Sequence, residues 1–143
     1  WFYEDVMFVY ENGLMNGTSE TTFSPYISTT RGMIVTILAR MEGVDTSKGA
    51  AWYAAGREWA IKNGISDGTN MEANITREQL AAILYRYAKN RGLDVSVGEN
   101  TNILSYADFA QISEYAIPAI RQRPILLMGP PGTMKSAAMR FPR

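Results

Sequence analysis

Residues 51–68 read A-W-Y-A-A-G-R-E-W-A-I-K-N-G-I-S-D-G, and residues 76–86 read T-R-E-Q-L-A-A-I-L-Y-R. These stretches decide the fold, because their landmarks also occur near the start of the chain. Trp52 and Gly64 are twelve positions apart, as are Trp1 and Gly13, and Gly68 and Gly17 each follow four positions later. The loops that come next differ in length. Register returns at Thr30-Arg31 and Thr76-Arg77, and nine positions after each of those arginines stands another, Arg40 or Arg86. So many different residue types held in step mark a duplicated structural unit.

Within each copy the spacing predicts two helices. Ile34, Ile37, Leu38 and Met41 fall at i, i+3, i+4 and i+7, one apolar stripe of a second helix, and Leu80, Ile83, Leu84 and Tyr87 repeat it. Gly43 and Gly92 supply stops, since glycine accepts the left-handed conformation that ends a helix. Thr76 and Gln79 form a capping box; Thr30 and Met33 keep only the threonine half. The first helices are predicted from Trp1 to Gly13 and from Ala51 to Gly64, with Phe8 and Trp59 at equivalent inward positions. One such helix pair is too small to bury its own stripe, so neighbouring copies must share a core, with Ile34, Ile37, Leu38, Leu80, Ile83 and Leu84 in it.

These residues resemble the S-layer homology repeat: an aromatic-rich first helix, a glycine-flanked turn, a loop, and a Thr-Arg motif opening a second helix. Copy one spans 1–43 and copy two 50–92. A truncated third spans 103–122, opening at Tyr106-Ala107-Asp108 and running through Tyr115 and Ile120, where Ser113 can cap a short helix from Glu114 that contains Pro118. The resemblance implies a mostly α fold, a pseudo-threefold bundle of helix-loop-helix repeats with the third incomplete. It further implies a surface module, secreted to the bacterial cell wall or S-layer, that binds a polysaccharide attached to peptidoglycan, often one carrying pyruvate ketals.

Composition narrows the alternatives. The chain has 143 residues, 14 basic and 14 acidic, so its formal charge is zero and no basic field draws in nucleic acid. It has no cysteine and no histidine, which removes thiolate and imidazole chemistry and the usual zinc ligand sets. No catalytic constellation, metal site or cofactor is expected. No apolar run is long enough to insert into a membrane, and a start at Trp1, without a signal peptide, reads as an internal fragment.

Arg31 and Arg77 are the candidate functional residues. Each lies in the first turn of a helix, where the dipole disfavours a basic side chain. An anion held jointly by free backbone N–H groups and the guanidinium would explain both, and a carboxylate matches the two-pronged donor. A salt bridge to a nearby Asp or Glu explains them equally well. In the family this arginine lines a glycan groove, so the resemblance assigns glycan contact to Arg31 and Arg77, with Thr30 and Thr76 opening their helices and Trp1 and Trp52 beside the sugars. Gly17 and Gly68 follow Asn16 and Asp67 in a turn signature that needs no ligand but permits close approach. The family continues Thr-Arg with Ala-Glu; here Gly32-Met33 departs further than Glu78-Gln79.

Residues 123–143, R-P-I-L-L-M-G-P-P-G-T-M-K-S-A-A-M-R-F-P-R, break the repeat. They resemble the strand and phosphate loop of an AAA-type ATPase, with Gly129, Gly132, Lys135 and Ser136 in place. Met134 stands where the loop needs a glycine to wrap phosphate, so the tail is expected to bind no nucleotide. The expected function is therefore non-enzymatic anchoring, against a nucleotide-binding fragment or a protein-assembly module as alternatives.

Overall fold

The computed structural model describes residues 1–96 and 102–121; the phosphate-loop-like tail lies outside them. The described residues are mostly helical, with five α-helices: α1 Tyr3–Glu11, α2 Arg31–Met41, α3 Ala54–Lys62, α4 Arg77–Asn90 and α5 Ile117–Ile120. Single 3-10 turns cover Ile103–Ser105, Phe109–Gln111 and Glu114–Ala116. The only β-type pairing among the described residues is an isolated antiparallel bridge between Thr30 and Asn74. The first helices are shorter at both ends than Trp1–Gly13 and Ala51–Gly64, because the flanking residues enter turns. Gly43 (φ +75) and Gly92 (φ +71) do terminate α2 and α4. After each, the next N–H returns to the helix, Val44 to Ala39 O and Leu93 to Ala88 O, both at 3.0 Å.

The chain divides into two compact units, Trp1–Thr76 and one beginning at Arg77. The division falls inside the second sequence copy, between its two helices. The packing unit is thus staggered against the sequence repeat: a second helix pairs with the first helical segment of the following copy, α2 with α3 and α4 with α5 and the turn before it.

In the first unit, α2 and α3 meet at Thr36 and Gly56. A Cβ on Gly56 would stand 2.8 Å from the Thr36 Cα, so only glycine admits this approach. Val35, Leu38, Ala39, Ala60, Ile65 and Met71 are buried around the crossing. The buried face of α2 is therefore rotated from the expected stripe. Leu38 is in it, Ile34 and Ile37 are half-buried, and Met41 is exposed. The reason is that small residues, Gly32, Thr36 and Ala39, face the close contact while the larger isoleucines flank it. Phe8 is 60% exposed and α1 has no buried residue, which corrects its assignment as inward. Trp59, its counterpart, is half-buried.

In the second unit Ala82, Ile83, Ala88 and Ala116 are buried, while Leu80 and Leu84 are half-buried. Ser113 precedes the turn at Glu114 as expected, but its hydroxyl makes no cap. It donates instead to Glu78 Oε1 at 2.7 Å, while its N–H reaches Oε2 at 2.9 Å. Pro118 sits at the start of α5, where its missing N–H costs nothing.

Candidate functional site

Arg31 is set by the loop of the second copy. Thr30 caps α2, its Oγ1 accepting from Met33 N at 3.2 Å, as the retained half of a capping box predicts. The two preceding N–H groups donate to the 71–73 loop, Arg31 N to Ala73 O at 3.1 Å and Gly32 N to Met71 O at 2.7 Å. The first turn of α2 thus spends its N–H groups on internal acceptors. An anion held by free N–H groups at this helix start is corrected accordingly, since none of the three is free.

The Arg31 side chain is 13% exposed, and its Nη2 donates to Asp67 Oδ1 at 2.8 Å and to Ser66 Oγ at 3.4 Å. The salt bridge left open by the sequence is therefore present. Among the described residues the buried Nε of Arg31 has no hydrogen-bond partner, and a buried donor left unpaired costs free energy. Asp67 is 65% exposed at its side chain. Its carboxyl is held below the ordinary value first by the Thr69 N–H and hydroxyl, at 3.0 and 2.9 Å, and less by Arg31; partial burial opposes them. Asp67 is the partner that sequence reading missed. Its signal was the Asp-Gly-Thr turn, whose carboxylate is ordered locally before any arginine approaches.

Trp52 reaches this helix start. A Cβ on Gly32 would lie 3.0 Å from Trp52 Cη2 and 2.9 Å from Met71 O, so a glycine at this position is what the packing of Trp52 and of the 71–73 backbone requires. Trp52 remains half exposed and stacks edge-on against Tyr53, centroids 5.2 Å apart. Trp1 makes the same contact with Phe2 at 5.5 Å but is fully exposed. The structure thus brings Thr30, Arg31 and Trp52 together and leaves Trp1 apart. Gly17 and Gly68 have internal reasons for being glycine. A Cβ on Gly17 would stand 2.5 Å from Thr22 O, and one on Gly68 would collide with Ile61.

Arg77 opens α4 immediately after Thr76. It is exposed and, among the described residues, has no ion pair. The residue after it, Glu78, takes three hydrogen bonds, two from Ser113 and one from the Tyr115 hydroxyl at 2.9 Å. Together these hold its carboxyl below the ordinary value, the Ser113 N–H contributing most. Among the described residues no group of three or more acidic side chains could hold a metal ion, and no helix is long and apolar enough to cross a membrane.

No family model matches the chain, and no solved structure does. Two characterised proteins are similar to it. An endoglucanase of Bacillus sp. (strain KSM-635) is 33% identical over 141 aligned positions, which take in 88% of this chain and 14% of the endoglucanase. The surface-layer 125 kDa protein of Lysinibacillus sphaericus is 31% identical over 108 positions, 63% of this chain and 9% of that protein. The chain therefore spans a small part of each relative, and it is related to segments carried by an enzyme and by a surface-layer protein.

Proposed function

We propose that this chain is a non-enzymatic attachment module, built of S-layer homology repeats, that holds a larger surface protein noncovalently to bacterial cell-wall polysaccharide. The observation that carries this reading is the pair of relatives. Matches to 88% and 63% of one chain overlap over at least half of it, so two long proteins with different names share one short stretch. A stretch carried both by an endoglucanase and by a surface-layer protein suits a module that serves different proteins, not one reaction, and the surface-layer relative supports a place for it at the cell surface. The partner is an acidic polysaccharide on peptidoglycan, such as one carrying pyruvate ketals, whose carboxylates suit a planar guanidinium.

Between the two Thr-Arg motifs, Arg77 is the principal anchor. It is exposed and without an ion pair among the described residues, whereas Arg31 already holds Asp67, which a ligand must displace. Thr76 and Thr30 open the two helices, and Trp52 and Trp1 supply faces for sugar rings. Sedimentation of the full chain with protein-free cell-wall fragments tests this. Arg77→Ala should weaken binding roughly tenfold or more, the worth of a charge-assisted pair. Arg31→Ala should cost less, and Arg77→Lys should recover only part, because an ammonium lacks the planar fork. A folded Arg77→Ala variant with unchanged binding removes the anchor role. Unchanged binding to glycan whose carboxyl groups have been reduced removes the ligand class.

A further inference from the structure

The loop 66–73 lies between two arginines that it treats differently. Arg31 is neutralised by Asp67. On the α3 side, Arg57 donates Nε to Gly68 O at 2.7 Å, a bond permitted by the absence of a side chain at Gly68, where a Cβ would stand 3.1 Å from that nitrogen. Arg57 is exposed, and among the described residues its terminal nitrogens have neither a carboxylate nor another acceptor. One end of the guanidinium is tied to the loop, which orients the side chain, while its exposed end is available to a ligand.

Arg57 also lines a concavity of about 350 Å³ with Tyr53, Asn70, Met71 and Glu72, and it shares with Tyr53 a second depression of about 670 Å³ whose lining includes Ala51, Ala54, Glu58 and Lys62. Both are open to solvent, so they can support one face of a sugar rather than enclose it. Tyr53 and Arg57, one helical turn apart, are common to both, so an aromatic ring and an uncommitted guanidinium border each space. Asn70, held at φ +49, adds an amide at the rim. In the first copy the matching positions are Phe2 and Val6, which cannot bind an anion, so the feature belongs to the second copy alone.

We infer that the Tyr53–Arg57 concavity is a second binding site, separate from the Thr-Arg motifs, for a sugar bearing a carboxylate: Arg57 takes the carboxylate, Tyr53 the ring and Asn70 a polar substituent. This rests on the wall-anchoring reading and adds to it a subsite made by α3 and the loop after it. Glu72, on the same wall, is a like charge to the ligand and therefore lowers its affinity. That gives two neighbouring residues opposite signs, which loss of structure cannot imitate.

The test is titration of the full chain with N-acetylmuramic acid, followed by amide chemical shifts, with N-acetylglucosamine as the sugar lacking the carboxylate. The acid should shift amides at 53–57 and 70–73, and the neutral sugar should leave them in place. Arg57→Ala should weaken binding of the acid roughly tenfold or more. Glu72→Gln should tighten it about twofold to fivefold, the range of an exposed charge pair. If Arg57→Ala does not fold, Glu72→Gln still decides, because weaker or unchanged binding in that variant overturns the site. Equal binding of the two sugars overturns it as well. Wall fragments that bind normally while the acid sugar does not would remove this site and leave the anchoring intact. Failure of the full chain to bind either removes both.

Discussion

The two Thr-Arg helix starts carry the same motif and are used in different ways. At α2 the residue after the arginine is Gly32, and the helix start is closed by backbone bonds to Ala73 and Met71 and by the edge of Trp52. At α4 that residue is Glu78, and its carboxylate reaches out to hold Ser113 and Tyr115. One junction is made by removing a side chain, the other by adding a charged one. The glycine junction is a close backbone contact whose groups do not titrate, whereas the carboxylate clamp depends on ionisation. The motif thus fixes where a second helix begins, and the residue after it decides how the next segment is fastened.

The largest expected effect tests where each helix buries its stripe. Leu38→Ala should destabilise the protein by about 2–5 kcal/mol, the usual cost of emptying a packed core position, and Ile83→Ala by a comparable amount. Leu84→Ala should cost less than either, because Leu84 is half-buried. Denaturant titration with far-ultraviolet dichroism orders the three. A Leu84→Ala loss equal to that of Leu38→Ala would return the core to the face that simple i, i+3, i+4 spacing selects.

That rotation shows how much of the fold was legible. The start of α2 and the stops of α2 and α4 were, because Thr30, Gly43 and Gly92 act through local backbone chemistry that needs no neighbour. The exact buried face was not. It depends on Gly56 admitting Thr36 across the helix pair, and hydrophobicity alone directs attention to Ile34 and Ile37 rather than to the small residues between them. Phe8 misled for a related reason: its place is inward only where something packs on α1, and no described residue of that helix is buried. At the candidate site the arginines were legible as unusual first-turn residues. Their partners were not, since Asp67 lies 36 positions from Arg31 and Ser113 lies 35 from Glu78.

A smaller effect comes from exchanging the fastenings. Gly32→Ala places a methyl group 2.9 Å from Met71 O and 3.0 Å from Trp52, and should cost about 1–3 kcal/mol by overpacking. Gly32→Glu, which copies the second motif into the first, should cost more, because the atoms closest to a Cβ there are the Met71 carbonyl and the side chains of Trp52 and Tyr53, which leave less room for the longer side chain. Thermal denaturation measures both. If Gly32→Glu is as stable as the parent, the close contact is dispensable and the contrast between the junctions collapses.

The smallest effect is also the most selective. Because hydrogen bonds from Ser113 and Tyr115 hold the folded Glu78 carboxyl below its ordinary value, the clamp favours the ionised form. Its contribution is complete above the unfolded glutamate pKa of about 4 and is lost as pH falls through the lower folded value. Acidification from neutral to below about pH 4 should therefore loosen residues 113–116 from α4, seen as faster amide hydrogen exchange there after correction for the intrinsic pH dependence. Amides at Arg31–Met33, whose acceptors are two carbonyls and a hydroxyl, should keep their protection over the same range. Asp67 is also depressed, and its protonation would act on the 66–69 turn and on the Arg31 side chain, whereas the acceptors of those amides do not titrate. Glu78→Gln should reproduce the acid state at neutral pH, because an amide keeps one acceptor oxygen and surrenders the other along with the charge. Equal protection at 113–116 in Glu78→Gln and the parent at pH 7 would show that the buried Ala116, rather than the carboxylate, fastens this segment.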